Sequence, residues 1–376
     1  MKKKELELYV HIPFCARKCE YCDFLSFSCS DGAKVSYTDA LIREIDSFPD
    51  ADHYRVISAF FGGGTPSLLE SHSMRMIMNE IKSRFCFSDK AEITLEANPG
   101  TLTAEKLEAY RRMGFNRISI GCQSLSDVEL RRLGRIHTAE EFHESFSLAR
   151  NAGFDNINVD LMSALPGQTY GDWERNLRET ARLAPEHISA YSLILEEGTP
   201  FYEKQADLDL PDEETERLMY EKTHDILEEY GYHQYEISNY AKEGYECRHN
   251  IGYWKRVPYQ GFGLGASSLL NEERFTNTSD WKEYLSDSDK PDIIRKNPEK
   301  LERKDQIEEY MILGLRMNQG VSERDFLERF RCSPGDIYHD VIEKYVNTGF
   351  MQRIDGHISL TRKGISVSNI IMADFV

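Results

Sequence analysis

Three cysteines crowd one short stretch, Cys15-Ala16-Arg17-Lys18-Cys19-Glu20-Tyr21-Cys22, and a fourth, Cys29, follows closely. Three thiolates at this spacing can ligate three irons of a 4Fe-4S cluster and leave the fourth iron open to a substrate or cofactor. The same residues would serve a zinc site completed by His11 or Cys29, or simply remain reduced thiols. Zinc sites usually pair ligands at short spacing and are often closed by a second distant pair, which is missing here. Cys86, Cys122, Cys247 and Cys332 are scattered. In a reducing compartment this distribution suggests metal or redox chemistry more than a disulfide framework.

The cysteine stretch directly follows a run, Leu8 to Ile12, that reads as a β-strand, so the thiols should lie on the loop leaving its C-terminal end. Comparable runs recur at Ile57–Phe61, Ile93–Ala97, Arg117–Gly121, Ile157–Leu161 and Ile188–Leu193. Most precede a stretch with apolar residues at helical spacing, such as Tyr37, Leu41 and Ile45. Strand–helix alternation implies parallel strands with right-handed crossovers. Six such units predict an α/β fold with a partial, open (β/α)6 TIM-like barrel, whose functional face is at the strand C-termini. Gly62-Gly63-Gly64 ends the second strand, Glu96 closes the third, Gln123 follows the fourth and Asp160 lies near the end of the fifth. Glycines let a backbone approach a ligand closely, although a tight turn needs them equally. An ammonium and ribose hydroxyls want acceptors, and a carboxylate wants a donor such as Arg135; an amino-acid nucleoside presents all of these groups. Taken singly, each polar residue would pass for a helix cap or a surface group.

Beyond about residue 199 the alternation lapses. A polar helix is expected from Asp212 to Tyr230, and loops with short strands laid against the barrel from Tyr232 to Leu270. The charged segment Ser286–Arg303 reads as a linker. Three helical stretches then precede two alternating runs joined by Asp355-Gly356, a type I′ hairpin signal, so the tail resembles a winged helix. The expected division is 1–200 (barrel), 201–290 (a region capping the barrel) and 300–376 (a winged-helix-like α+β domain). With 46 Lys and Arg against 64 Asp and Glu, the net charge of −18 disfavours a nucleic-acid partner, and the tail, with 10 basic against 12 acidic residues, does not suit a DNA-reading wing. No apolar run is long enough for a membrane span, and the start lacks a signal peptide's apolar stretch, so a cytoplasmic location is expected.

In order along the chain, Tyr9-Val10-His11-Ile12-Pro13-Phe14-Cys15 with its Cys-x3-Cys-x2-Cys spacing, Phe60-Phe61-Gly62-Gly63-Gly64-Thr65-Pro66, Glu96-Ala97-Asn98-Pro99, Ser119-Ile120-Gly121-Cys122-Gln123-Ser124, Asp160-Leu161-Met162 and Leu165-Pro166-Gly167-Gln168 closely resemble the radical S-adenosylmethionine (SAM) enzymes. Within that superfamily the chain resembles the oxygen-independent coproporphyrinogen III oxidase group and, inside it, the HemW family of haem chaperones. The resemblance implies that Cys15, Cys19 and Cys22 ligate a 4Fe-4S cluster, that Tyr9 and Tyr21 flank it, and that Gly63, Gly64, Thr65, Glu96, Gln123, Arg135 and Asp160 hold SAM. It also implies an electron donor such as a flavodoxin or ferredoxin.

Cys247-Arg248-His249-Asn250-Ile251-Gly252-Tyr253-Trp254 resembles the His-Asn-x-x-Tyr-Trp motif of the haem chaperones. Imidazole is a common axial ligand of haem iron, and aromatic neighbours can cover a porphyrin face. A lone histidine is also often an ordinary packed side chain, and Cys247 offers a thiolate instead. The decarboxylating oxidases carry a fourth cysteine where this chain has Phe24, and a long extension before the cysteines. The expectation is therefore a haem chaperone that binds one haem through His249, in a structural layer separate from the thiols, and passes it to an acceptor haemoprotein. An active oxidase converting coproporphyrinogen III to protoporphyrinogen IX is the alternative, and a zinc-stabilised winged-helix regulator is a third reading.

Overall fold

In the computed structural model, which describes residues 3–376, six parallel strands stand side by side in chain order. They are β1 (Lys4–Ile12), β2 (Tyr54–Gly63), β3 (Cys86–Ala97), β4 (Arg117–Gln123), β5 (Ile157–Ser163) and β6 (His187–Ser192). The principal helices following them are α1 (Asp31–Ser47), α2 (Ser71–Arg84), α3 (Ala104–Met113), α4 (Ala139–Asn151), α5 (Tyr170–Arg182) and α6 (Glu213–Glu228). Threonine capping boxes at Thr138 and Thr169 start α4 and α5, each satisfying backbone N–H groups that a helix leaves free.

Side chains alternate across a strand, and the two faces of this sheet differ sharply. Leu8, Val10, Ile12, Ile118, Ile120, Val159 and Leu161 are fully buried in the core that includes the helices' apolar faces. Their alternates Tyr9, His11, Arg117, Ser119, Asn158, Asp160 and Ser189 turn to the barrel lumen, where they line a cavity. A closed TIM barrel fills its interior with branched apolar side chains. Here the apolar core lies outside the strands, and the lumen is polar and partly hollow.

Two expected irregular regions are part of this sheet. Within the stretch expected to lie against the barrel, β7 (His233–Glu236) and β8 (Asn239–Ala241) extend the sheet beyond β6, while β9 (Tyr259–Phe262) pairs in parallel with β1 and continues to β10 (Ser267–Leu270) and, just past that stretch, to β11 (Glu273–Asn277). The expected linker contains β12 (Arg295–Lys300), the outermost strand of the twelve-stranded sheet. Its sequence Arg-Lys-Asn-Pro-Glu-Lys resembles a linker because edge strands are commonly protected by charge and proline.

Helices Arg303–Gly314, Glu323–Phe330 and Pro334–Asn347 pack with a three-stranded antiparallel sheet, β13 (Val321–Ser322), β14 (Met351–Ile354) and β15 (His357–Leu360), around a separate core containing Met311, Phe326, Phe330 and Ile358. Asp355 and Gly356 have φ of 50° and 74°, matching the type I′ turn. The buried Arg256 joins this domain to the main sheet by ion pairs of 2.9 Å to both Glu309 and Glu272.

Candidate functional site

Cys15, Cys19 and Cys22 sit on the loop leaving β1, at the C-terminal mouth of the barrel. Backbone bonds hold that loop: Cys15 N–H donates to Phe27 O (3.1 Å), and Glu20 N–H to Leu133 O (3.1 Å). All three thiols line one cavity of about 120 Å³ with Tyr21, Gly63, Gly64, Glu96, Gln123, Arg135 and Asp160. Thr65 Oγ1 stands 3.5 Å from Cys15 Sγ and accepts from Asn98 Nδ2 at 2.7 Å. The Arg135 guanidinium lies 3.8 Å from Cys19 Sγ and donates to Asn98 Oδ1 at 2.8 Å. A Cβ on Gly64 would come within 2.6 Å of Phe14 O, and one on Gly63, where φ is 111°, within 2.4 Å of the His11 ring. The end of β2 can therefore pack this closely against β1 and the start of the cysteine loop only with glycine.

Among the described residues, no three His, Cys, Asp or Glu side chains gather as ligands of a single metal ion. His11 is engaged at both ring nitrogens, with Tyr9 Oη at 3.0 Å and Leu25 O at 2.9 Å, and Cys29 packs against the apolar core away from the thiol cavity. Three thiols around one hollow, with His11 and Cys29 both held elsewhere, fit an iron-sulfur cluster bound at three corners.

A second, larger cavity of about 620 Å³ runs into the lumen and shares Phe24, Gly63, Glu96, Ser119 and Asp160 with the first. Glu96 Oε2 accepts from Gly63 N–H at 3.1 Å; burial, reinforced by Asp160, pushes its carboxyl up to about 8. Asp160 accepts from Ser119 (3.1 Å) and Asn158 (2.7 Å), and burial raises its carboxyl as well. Gln123 holds a left-handed φ of 65° at the end of β4. Tyr21 is in the thiol cavity, whereas Tyr9 lines the larger one with its hydroxyl on His11.

His249 lies on α7 (Arg248–Trp254), whose first backbone N–H groups donate to Glu92 at 3.2 and 3.3 Å. Its ring stacks on Phe60 (5.1 Å between centroids), its Nδ1 is 2.8 Å from Ser58 Oγ, and its Nε2 is 3.0 Å from Tyr253 Oη. Burial, helped by the charge of Arg117, lowers its pKa to about 3, so the imidazole is neutral. The expected separate layer is overturned: His249 lines the same lumen cavity as Glu96 and Asp160. The pairing of β9 with β1, with Glu7 beside Tyr259, brings the motif back to the barrel across more than 200 residues of chain. Gly252 fits the packing because a Cβ there would meet the Glu7 carboxylate at 2.1 Å. Cys247 is fully buried with its thiol 3.5 Å from Glu92, away from either cavity.

Sequence reasoning missed Asn98, Phe60, Arg117, Ser119, Asn158 and Tyr191 as parts of these walls. For β4 the signal was present as polar or small residues at every second position, Arg117-x-Ser119-x-Gly121-x-Gln123.

A model of the radical SAM superfamily matches residues 9–180, and one of the HemN C-terminal domain matches residues 301–367. The chain is 36% identical over 378 residues to a protein of Lactococcus lactis subsp. lactis (strain IL1403) named heme chaperone HemW, with 100% of this chain and 98% of that protein covered. The protein of that name from Bacillus subtilis (strain 168) is 36% identical over 372 residues, covering 98% of each, and that from Escherichia coli (strain K12) is 41% identical over 268 residues, covering 71% of this chain and 70% of the other. The structure of coproporphyrinogen III oxidase HemN from Escherichia coli, a radical SAM enzyme, superposes with a TM-score of 0.86 over 99% of this chain and 90% of that one, at 24% identity, and so shares the fold. The two matched segments lie in the barrel and the C-terminal domain described above, and with full-length similarity at this level the chain belongs to the HemW family of the radical SAM superfamily.

Proposed function

We propose that this chain is a haem chaperone: it takes one haem into the lumen cavity, carries a 4Fe-4S cluster and SAM at the barrel mouth, and passes the haem to an acceptor haemoprotein. The observation that carries this reading is the lumen cavity, about 620 Å³ and lined by Tyr9, Phe60, Tyr253, Trp254 and the neutral imidazole of His249. That volume is ordinary for a cofactor pocket, and its aromatic faces suit a flat macrocycle.

In this reading Cys15, Cys19 and Cys22 hold the cluster, while Tyr21 screens it. Gly63 and Gly64 admit the SAM backbone, Glu96, Gln123 and Asp160 accept from its ammonium and ribose, and Arg135 and Thr65 border its carboxylate. When bound, cluster and SAM supply one-electron chemistry. Ser58 holds Nδ1 of His249, and turning the Tyr253 hydroxyl aside exposes Nε2 to an iron. A flavodoxin or ferredoxin is the reductant this chemistry calls for.

One observation favours an oxidase as the second reading: the lumen cavity adjoins the thiol site, with Gly63, Glu96 and Asp160 in the walls of both, as a radical enzyme acting on a lumen-bound substrate requires. Against it, Phe24, 60% exposed between the two cavities, stands where the oxidase pattern has a further cysteine. Anaerobically reconstituted protein should transfer bound haem to an apo-haemoprotein and leave coproporphyrinogen III unchanged. Conversion to protoporphyrinogen IX without haem transfer would establish the oxidase instead.

A further inference from the structure

Arg117 stands at the start of β4 with its side chain in the lumen cavity, only 2% exposed. Among the described residues its Nε has no hydrogen-bond partner, and the neighbouring Glu92 and Asp160 act on it through space without forming an ion pair. The polar groups around it are already engaged. Asp160 accepts from Ser119 and Asn158; Asn158 Oδ1 takes His187 at 2.6 Å and Ser189 at 3.1 Å; Glu92 caps α7. The comparably buried Arg256 shows the usual arrangement, held between two carboxylates at 2.9 Å each. A guanidinium is always charged, and burying one without a partner is costly. Only one feature of its surroundings offers room for a partner, the cavity itself.

We propose that Arg117 anchors a carboxylate of the molecule that fills the lumen, so that the ligand of this chain is an acid. A planar guanidinium receives a carboxylate through paired N–H bonds, which a lysine cannot reproduce. The position also orients the ligand. Arg117 lies four residues before Gly121, which borders the thiol cavity, so a molecule held at Arg117 and reaching the mouth spans on the order of 13 Å. The proposal rests on the haem reading, in which the carboxylate is a haem propionate; a second role, as a fixed counter-charge for Glu92 and Asp160 with no ligand contact, is its rival.

The test compares haem with its dimethyl ester, which lacks free propionates, by Soret titration of the reconstituted full-length protein. Wild-type protein should bind haem about tenfold to a hundredfold more tightly than the ester. Arg117→Gln should bind both with the ester's affinity, and Arg117→Lys should restore part of the preference. Equal affinities of the wild-type protein for haem and ester would overturn the proposal, whether or not the variants fold. An equal loss for both ligands in Arg117→Gln would overturn it too, in favour of the counter-charge. Failure of the wild-type protein to bind haem at all would remove the haem reading and the proposal with it, an outcome distinct from haem bound without regard to its propionates.

Discussion

Single residues decide what the mouth can hold. Cys15, Cys19 and Cys22 share one cavity, whereas Cys29 packs on the core. Replacing any of the three with alanine should abolish the iron bound on anaerobic reconstitution, and Cys29→Ala should leave about four irons per chain by iron analysis. Glu96, held near 8 by burial and Asp160, keeps its proton at neutral pH, yet an ammonium wants the carboxylate. SAM binding should therefore release a proton near pH 7, tighten as pH rises towards 8 and weaken again above it, where the α-ammonium of SAM loses its own proton; Glu96→Gln should lose the rising limb, as calorimetry in buffers of different ionisation heat will show. The glycine run and Glu96 were legible in the sequence because each ends a strand, whereas Arg135, beyond a short helix (Asp127–Arg132) after β4, entered through the family resemblance. Arg117 and Asn158 were not, since a polar residue at alternate positions of a strand looks the same whether it faces solvent or a polar lumen.

At the scale of elements, α7 joins the two ends of the chemistry. The helix is seated on Glu92 through its first N–H groups and on Glu7 through Gly252. Gly252→Ala would force a methyl group into the Glu7 carboxylate and should destabilise the protein by about 1–3 kcal/mol in urea unfolding while disturbing the His249 ring. An unchanged unfolding midpoint would show that α7 has more freedom than its packing indicates. Glu44 of α1 fastens the glycine-rich segment after β9, accepting from Gly263 N–H (2.8 Å), Tyr284 Oη (2.7 Å) and Asn277 Nδ2 (2.7 Å). Glu44→Gln places an amide donor among donors and should cost about 1–3 kcal/mol, read as a lower unfolding midpoint. The six barrel strands were readable because their outward faces are rich in β-branched and other apolar residues. Short strands were expected in the stretch that holds β7 to β10, but these carry too little periodicity to give their bounds or sheet order, and β12 is charged enough to pass for a linker.

For the whole molecule, the sheet order makes one working space from distant parts of the chain. The parallel pairing of β9 with β1 sets the His249 motif opposite Glu96 and Asp160, a topological fact that no local pattern contains. Because the apolar core lies between strands and helices, the lumen is free to be polar and hollow, and the two cavities meet at Gly63, Glu96 and Asp160. The central claim is that this lumen is a haem site, and a Soret titration of the reconstituted protein tests it most directly. Saturation at one haem per chain, with a Soret band that shifts or is lost in His249→Ala while the iron-sulfur absorption persists, is the expected result. No saturable haem binding, or a haem spectrum and affinity unchanged in His249→Ala, would contradict it.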